Sequence, residues 1–350
     1  MAGRLKLKLL INHLQATIQY LLMSDTQRIK FKSVQDWHNY LTKLQQEAGN
    51  GQSIEFNPAE LRQNCYKDIE ALRGRPLLIY ATKFVNGSIP NSPISIELGD
   101  VEGFTDLINS IPAGKKEIDV LIHSPGGKPD ATERIVYLLR KRFEQVHFLI
   151  PHSAYSAATM LALSGDSIIL HSSATLGPID PQINGIPARS IKKGFAKVRD
   201  SIKPETLPAY LSLLEKYSLE LLEICDDSEK LSKELVTQWL GSYMLKKELF
   251  EGQIAKTADY FSDYENHLLH SRPLLYEKIK DLQLNVNYAD TELNELLWEA
   301  YIVIDNFFQI SNFVKLFENT NGISWGRQVN VQQIAIPHKQ QSLSEINLML

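Results

Sequence analysis

Between residues 76 and 186 the apolar residues come in short continuous blocks, each closed by turn residues, with helix-spaced stretches between them. Leu77-Leu78-Ile79-Tyr80, Val120-Leu121-Ile122, Val146-His147-Phe148-Leu149-Ile150 and Ser167-Ile168-Ile169-Leu170 predict buried strands. A further short strand is expected at 94–98. Asp100 is read as the cap of a helix carrying Val101, Phe104, Leu107, Ile108 and Ile111, and 131–143 reads as an amphipathic helix. Residues 86–92, rich in Asn, Gly, Pro and Ser, and 174–186, punctuated by Gly and Pro, predict loops. Strand and helix alternate, which predicts an α/β domain with a mainly parallel sheet and right-handed crossovers.

On either side of this block the period is helical. Leu9, Leu10, Ile11, Leu14, Ile18, Leu21 and Leu22 predict an amphipathic helix over 5–23, better suited to docking on protein than on a membrane because its polar side carries Gln and His. Ser33 with Asp36 marks a second helix start, and Trp37, Tyr40, Leu41 and Leu44 form its face. Asn57-Pro58 opens a third, running to about Leu72. Downstream, 207–224, 228–245 and 291–316 predict amphipathic helices, the aromatic residues at 298–308 being packing rather than a cofactor box. The expected organisation is a helical extension at 1–75, a core at 76–200, a helical region at 201–320 that completes the core or an oligomer interface, and a tail at 321–350.

Composition narrows the function only a little. Of 350 residues, 37 are basic and 41 acidic, for a net charge of −4, so no nucleic-acid footprint is expected. Cys65 and Cys225 are the only cysteines and make no disulfide framework, which favours a reducing, cytoplasmic setting. The basic N-terminus lacks the apolar core and cleavage site of a signal peptide, and no run approaches the ~18 apolar residues that a spanning helix needs.

Two turns carry candidate chemistry. Ser124-Pro125-Gly126-Gly127 follows one strand; His152-Ser153-Ala154-Tyr155-Ser156-Ala157 follows the next and opens a helix. Adjacent glycines leave backbone N–H groups free to hold an oxyanion, and a serine at a helix start sits among unpaired N–H groups. A parallel sheet places both turns at one edge. Taken singly, Gly126-Gly127 is also an ordinary turn and Ser156 an ordinary cap. His152, four residues before Ser156, is a candidate base, and His171, after a strand, is a weaker one. His267 and His270 at i, i+3 with Glu265 nearby lack a well-spaced third ligand, so no metal is expected; no P-loop or dinucleotide fingerprint is present, so no cofactor is expected.

Ser-Pro-Gly-Gly at 124–127, Ser-Ala-Ala-Thr at 156–159, Ser-Gly-Asp-Ser-Ile at 164–168 and Leu-Gly-Pro-Ile-Asp-Pro-Gln at 176–182 together resemble the serine dehydrogenase proteinase family. That family is related to signal peptide peptidase A and to the proteolytic subunit of Clp, within the Clp/crotonase superfamily. The resemblance is densest over 76–200 and continues more weakly through 226–245 and 265–273. It implies a Clp/crotonase-type core and a serine peptidase, with Ser156 as nucleophile and N–H groups of Gly126 or Gly127 and of Ala157 as the oxyanion hole. Where the Clp subunit has its histidine this chain has Leu176-Gly177-Pro178; signal peptide peptidases use a downstream lysine, for which Lys192, Lys193 and Lys197 are in range, Lys193 first. Asp180 lies in the loop that the resemblance places beside the site, to bind substrate or orient the base. The resemblance also implies a peptide or protein substrate and a homo-oligomer. Two other classes stay open: an acyl-CoA-binding crotonase-like enzyme, and a non-catalytic scaffold that keeps the fold.

Overall fold

The structure is a computed structural model, which describes residues 28–50, 56–86, 92–215, 217–245 and 247–329. The helix expected at 5–23 and most of the loop expected at 86–92 fall outside those residues. Two N-terminal helices, α1 (Val34–Gly49) and α2 (Pro58–Arg73), form as the caps predict. Ser33 and Asp36 make a reciprocal capping box, and Asn57 accepts from the N–H of Glu60. The first strand, β1 (Leu77–Thr82), is followed by α3 (Asp100–Asn109), β2 (Glu117–His123), α4 (Pro129–Arg142), β3 (Gln145–Ile150), β4 (Ser153–Ala154), α5 (Ala157–Leu163), β5 (Ser167–Leu170) and β6 (Thr175–Leu176). A two-residue hairpin, β7 (Gln182–Ile183) and β8 (Ile186–Pro187), leads into α6 (Ala188–Ser201), α7 (Leu207–Leu214), α8 (Leu219–Trp239) and α9 (Lys247–Ser262). After two single-turn helices, α10 (Tyr264–His267) and α11 (Tyr276–Ile279), come β9 (Val286–Tyr288), α12 (Thr291–Ile310), β10 (Phe313–Asn319) and β11 (Ser324–Gln328).

Seven strands form one sheet in the order β11-β10-β1-β2-β3-β5-β9. From β1 to β9 every neighbour is parallel; β10 and β11 add an antiparallel edge. Side chains alternate between two buried layers. Leu78 and Tyr80 of β1, Val120 and Ile122 of β2, and Phe148 and Ile150 of β3 enter one layer with α3, α4, α5 and α9. Leu77, Ile79 and Ala81, Leu121 and Leu149 enter the other, covered by α1, α2 and α12. Burial on both faces explains why these strands read as unbroken apolar runs. Each fully buried Leu, Ile or Phe stabilises the fold by about 1.5–3 kcal/mol.

Three local expectations are corrected. The helix expected over 291–316 ends at Ile310, where Ser311-Asn312 turns the chain into β10, which pairs antiparallel with β1. Lys315, in the middle of that strand, is fully buried against Asp100. Residues 219–239 form one helix, started by Ser218, which accepts from the N–H of Leu221; the break expected near 225–228 lies instead at 215–218. Finally, Asp100 is the first residue of α3 rather than its cap, and the strand expected at 94–98 reduces to a single bridge between Ile96 and Gly127. Among the described residues no helix is long and apolar enough to cross a membrane.

Candidate active site

A row of short backbone bridges beyond the ends of the main strands builds the site. Gly127 bridges Ile96, Ser124 bridges Ala154, β4 pairs with β6, and Leu176 bridges Leu274. Five segments separate in sequence are thereby laid side by side.

The glycine turn is held at both ends. The N–H of Ser124 donates to the carbonyl of Ser153 at 3.1 Å, and the N–H of Tyr155 to that of Ser124 at 3.0 Å. Ile96 donates to the Gly126 carbonyl at 2.7 Å and accepts from the Lys128 N–H at 2.9 Å. With that pairing, the N–H of Gly127 points away from Ile96. The N–H of Gly126 donates to Ser124 Oγ at 3.2 Å. Among the described residues the N–H groups of Gly127 and Ala157 have no partner. Glycine at 126 is a steric requirement: φ is 94°, and a Cβ there would stand 2.7 Å from Ser156 Cβ and from the Ala157 nitrogen. The two turns touch.

Ser156 precedes α5 with φ 51° and ψ −124°, a region that disfavours any residue with a Cβ. Its hydroxyl makes no capping bond, so the expected cap role is not taken up. Strain of this kind, of order 1–3 kcal/mol, persists only where the surroundings enforce it. Here the carbonyls of Tyr155 and Ser156 accept from Ala158 and Met160 at 2.9 and 3.0 Å, and Tyr155 is clamped to Ser124.

Asp180 arrives on the loop after β6. Gly177 donates to the Ala154 carbonyl at 3.0 Å, and Ile179 to that of Phe261 at 2.9 Å. His270 arrives on the segment bridged to Leu176 through Leu274. Its Nδ1 lies 2.9 Å from Asp180 Oδ1, and Gln182 Nε2 donates to Asp180 Oδ2 at 3.1 Å. A carboxylate only accepts, so Nδ1 carries the hydrogen and Nε2 is left as the acceptor. Asp180 is 4% exposed and His270 25%. A cavity of about 400 Å³ is lined by Gly126, Gly127, Ser156, Ala157 and His270, with Met160 and Leu231 among its apolar walls.

The other sequence candidates lie elsewhere. Lys192, Lys193 and Lys197 are on α6, and none lines the cavity. Lys193 is 68% exposed and pairs with Glu265 at 2.7 Å. Partial burial pulls the Lys192 ammonium down, but Asp226 and Glu229 outweigh it and hold the pKa above its ordinary value. An ammonium so held is no proton acceptor. His152 turns to Ser153, with Nδ1 2.7 Å from Oγ, and stacks on Tyr301 with centroids 4.5 Å apart. His171 pairs with Ser173 and stacks on Trp298. His267 points at the Tyr260 carbonyl, 2.6 Å from Nε2, so it and His270 do not converge as metal ligands. His270 is the residue that sequence reasoning assigned elsewhere. Its partner is ninety positions away, and the Leu176–Leu274 bridge, with the Ile179–Phe261 hydrogen bond, brings the two together.

A strained serine beside free backbone N–H groups and a carboxylate-held imidazole belongs to the serine hydrolases as a chemical class. Within that class the chain belongs to the ClpP-like SDH-type serine proteinases: it matches that family over residues 89–305, and a peptidase-type function and peptide substrates come with membership. Among its relatives are two proteins of Methanocaldococcus jannaschii. Uncharacterized protein MJ1495 is 31% identical over 65% of this chain and 71% of its own length. Uncharacterized protein MJ0137 is 30% identical over 57% and 65%. Two solved structures of the 1510-N membrane-bound stomatin-specific protease, both alanine mutants and one with a substrate peptide, are 18% and 19% identical. They cover 63% and 66% of this chain and 81% and 82% of theirs, each with a TM-score of 0.34.

Proposed function

We propose that the chain hydrolyses peptide bonds with Ser156 as nucleophile, His270 as general base and Asp180 as the group that orients it. The observation that carries this reading is the Asp180–His270 pair, whose imidazole lines the same cavity as Ser156. Ser156 Oγ attacks the scissile carbonyl carbon while its proton passes to His270 Nε2. The carbonyl oxygen becomes an oxyanion and accepts from the N–H groups of Gly127 and Ala157. The imidazolium is stabilised by Asp180 and returns the proton to the departing amine, leaving an acyl ester on Ser156. A water then gives its proton to Nε2 and attacks the ester, and the second peptide leaves with Ser156 restored. Family membership supports the reaction type; the bonded pair supports the choice of base.

A fluorophosphonate probe tests the assignment. Labelling that maps to Ser156 by peptide mass analysis, and that slows at least ~100-fold in His270→Ala, is the expected result. Undiminished labelling in His270→Ala with loss in Lys193→Ala would return the base to the lysine. No labelling of the wild type, with binding of an acyl-CoA, would favour the crotonase-like alternative.

A further inference from the structure

The glycine turn is tied to a chain of buried polar side chains that begins outside the family segment 89–305. Lys315, in the middle of β10, has Nζ 2.7 Å from Asp100 Oδ2 and 2.9 Å from Oδ1, and it donates to the Ser95 carbonyl at 2.6 Å. Asp100 Oδ2 also accepts from the Tyr80 hydroxyl at 2.9 Å and from the Glu97 N–H at 3.0 Å. On the other side of the glycine turn, Ser124 Oγ accepts from the Gly126 N–H at 3.2 Å. Lys315, Asp100, Tyr80 and Ser124 are all fully buried.

Both ends of this chain finish on the backbone of the site. One end holds Ser95, which lines the Ser156 cavity and precedes the residue that bridges Gly127. The other holds the N–H of Glu97, which follows that residue, while Ser124 separately holds Gly126, whose carbonyl takes the Ile96 N–H. Stability alone does not call for such a chain, because well-packed apolar residues serve as well as a buried ion pair or better. Aim does call for it: an oxyanion donor is effective only within a few tenths of an ångström of its place, and linked hydrogen bonds stiffen one another.

We propose that Lys315, Asp100 and Tyr80 on one side and Ser124 on the other form a positioning network that braces the glycine turn and aims the Gly127 N–H at the oxyanion. The network rests on the hydrolase reading above. It makes β1 and β10, which lie outside the family segment, part of what completes the site.

Tyr80→Phe and Ser124→Ala each remove one link with almost no change of shape, so each tests the network if the other fails to fold. Ile108→Val, a core change away from the chain, is the control, with all variants assayed equally far below their melting temperatures. The readouts are the rate of Ser156 labelling by a fluorophosphonate and kcat and KM on fluorescein-labelled casein. Expected are falls of about tenfold or more in labelling rate and kcat, with KM within about twofold of wild type, in both variants but not in the control. Wild-type labelling and kcat in Tyr80→Phe and Ser124→Ala would overturn the network. So would a rise in KM at unchanged kcat, or an equal fall in Ile108→Val. Failure of the wild type itself to label at Ser156 would instead overturn the hydrolase reading on which the network rests.

Discussion

The imidazole of His270 and the carboxylate of Asp180 meet at 2.9 Å across ninety residues of sequence, and the second carboxylate oxygen is held by Gln182. The ring is thereby held by a carboxylate that is itself held, and it lines the same cavity as Ser156. Replacing His270 by Ala removes the proton acceptor, and Asp180→Asn removes the group that sets the tautomer. Both are expected to lower kcat on casein by roughly 10²–10⁴-fold, with little change in melting temperature for His270→Ala because that ring is partly exposed. Activity within a factor of two of wild type in either variant would remove the pair from the mechanism.

How far the sequence alone reaches can be argued from these residues. The parallel strands are readable because burial on both faces writes itself as continuous apolar runs, and the two chemical turns are readable because strand ends and helix starts are local signals. β10 was hidden because its one inward lysine is neutralised by Asp100, a partner more than two hundred positions away. The proposed base was hidden for the same reason. His270 beside Asp180 is a product of the Leu176–Leu274 bridge, and no local spacing encodes it. The lysines of α6 are in range by count, but that helix pairs Lys192 with Asp226 and Glu229 and Lys193 with Glu265 instead.

Lys193→Ala is accordingly a discriminating substitution. Its ammonium is largely in solvent and its partner Glu265 is also exposed, so the pair adds little to stability. Casein hydrolysis within about twofold of wild type is expected. Complete loss, with the fold intact by circular dichroism, would restore a lysine base.

The other face of the sheet carries a pH response. His123 is fully buried, and burial, with His152 opposite, pushes its pKa down to about 3. Phe84 and Tyr301 pack on the ring, and its Nδ1 has no partner among the described residues. Folded, the ring stays neutral; unfolded, it takes up a proton below about pH 6.5. The unfolded state then binds more protons, so stability falls as pH drops from about 6.5 toward 3, by up to about 1.4 kcal/mol per unit from this residue. His147, His152 and His171 are also lowered by burial and act in the same direction, while Asp305, raised by burial, opposes them. Urea unfolding at neutrality and at about pH 5 should give a smaller loss in His123→Gln than in wild type. Equal losses would mean that His123 is protonated in the folded protein.

Ser156 itself should show a conflict between stability and activity. At φ 51° and ψ −124° a Cβ is strained, and alanine keeps the Cβ while glycine removes it. Relief of strain contributes about 1–3 kcal/mol, and the greater freedom of an unfolded glycine takes back about 0.4–1 kcal/mol. The balance favours glycine by roughly 1 kcal/mol, or about one to two degrees in melting temperature for a chain of this size. Both variants should lose fluorophosphonate labelling entirely, since neither has a hydroxyl. Differential scanning calorimetry should therefore rank Ser156→Gly above Ser156→Ala while both remain inactive. If alanine proves the more stable, the backbone at Ser156 is relaxed and the turn is not held under strain by its contacts with Gly126 and Tyr155.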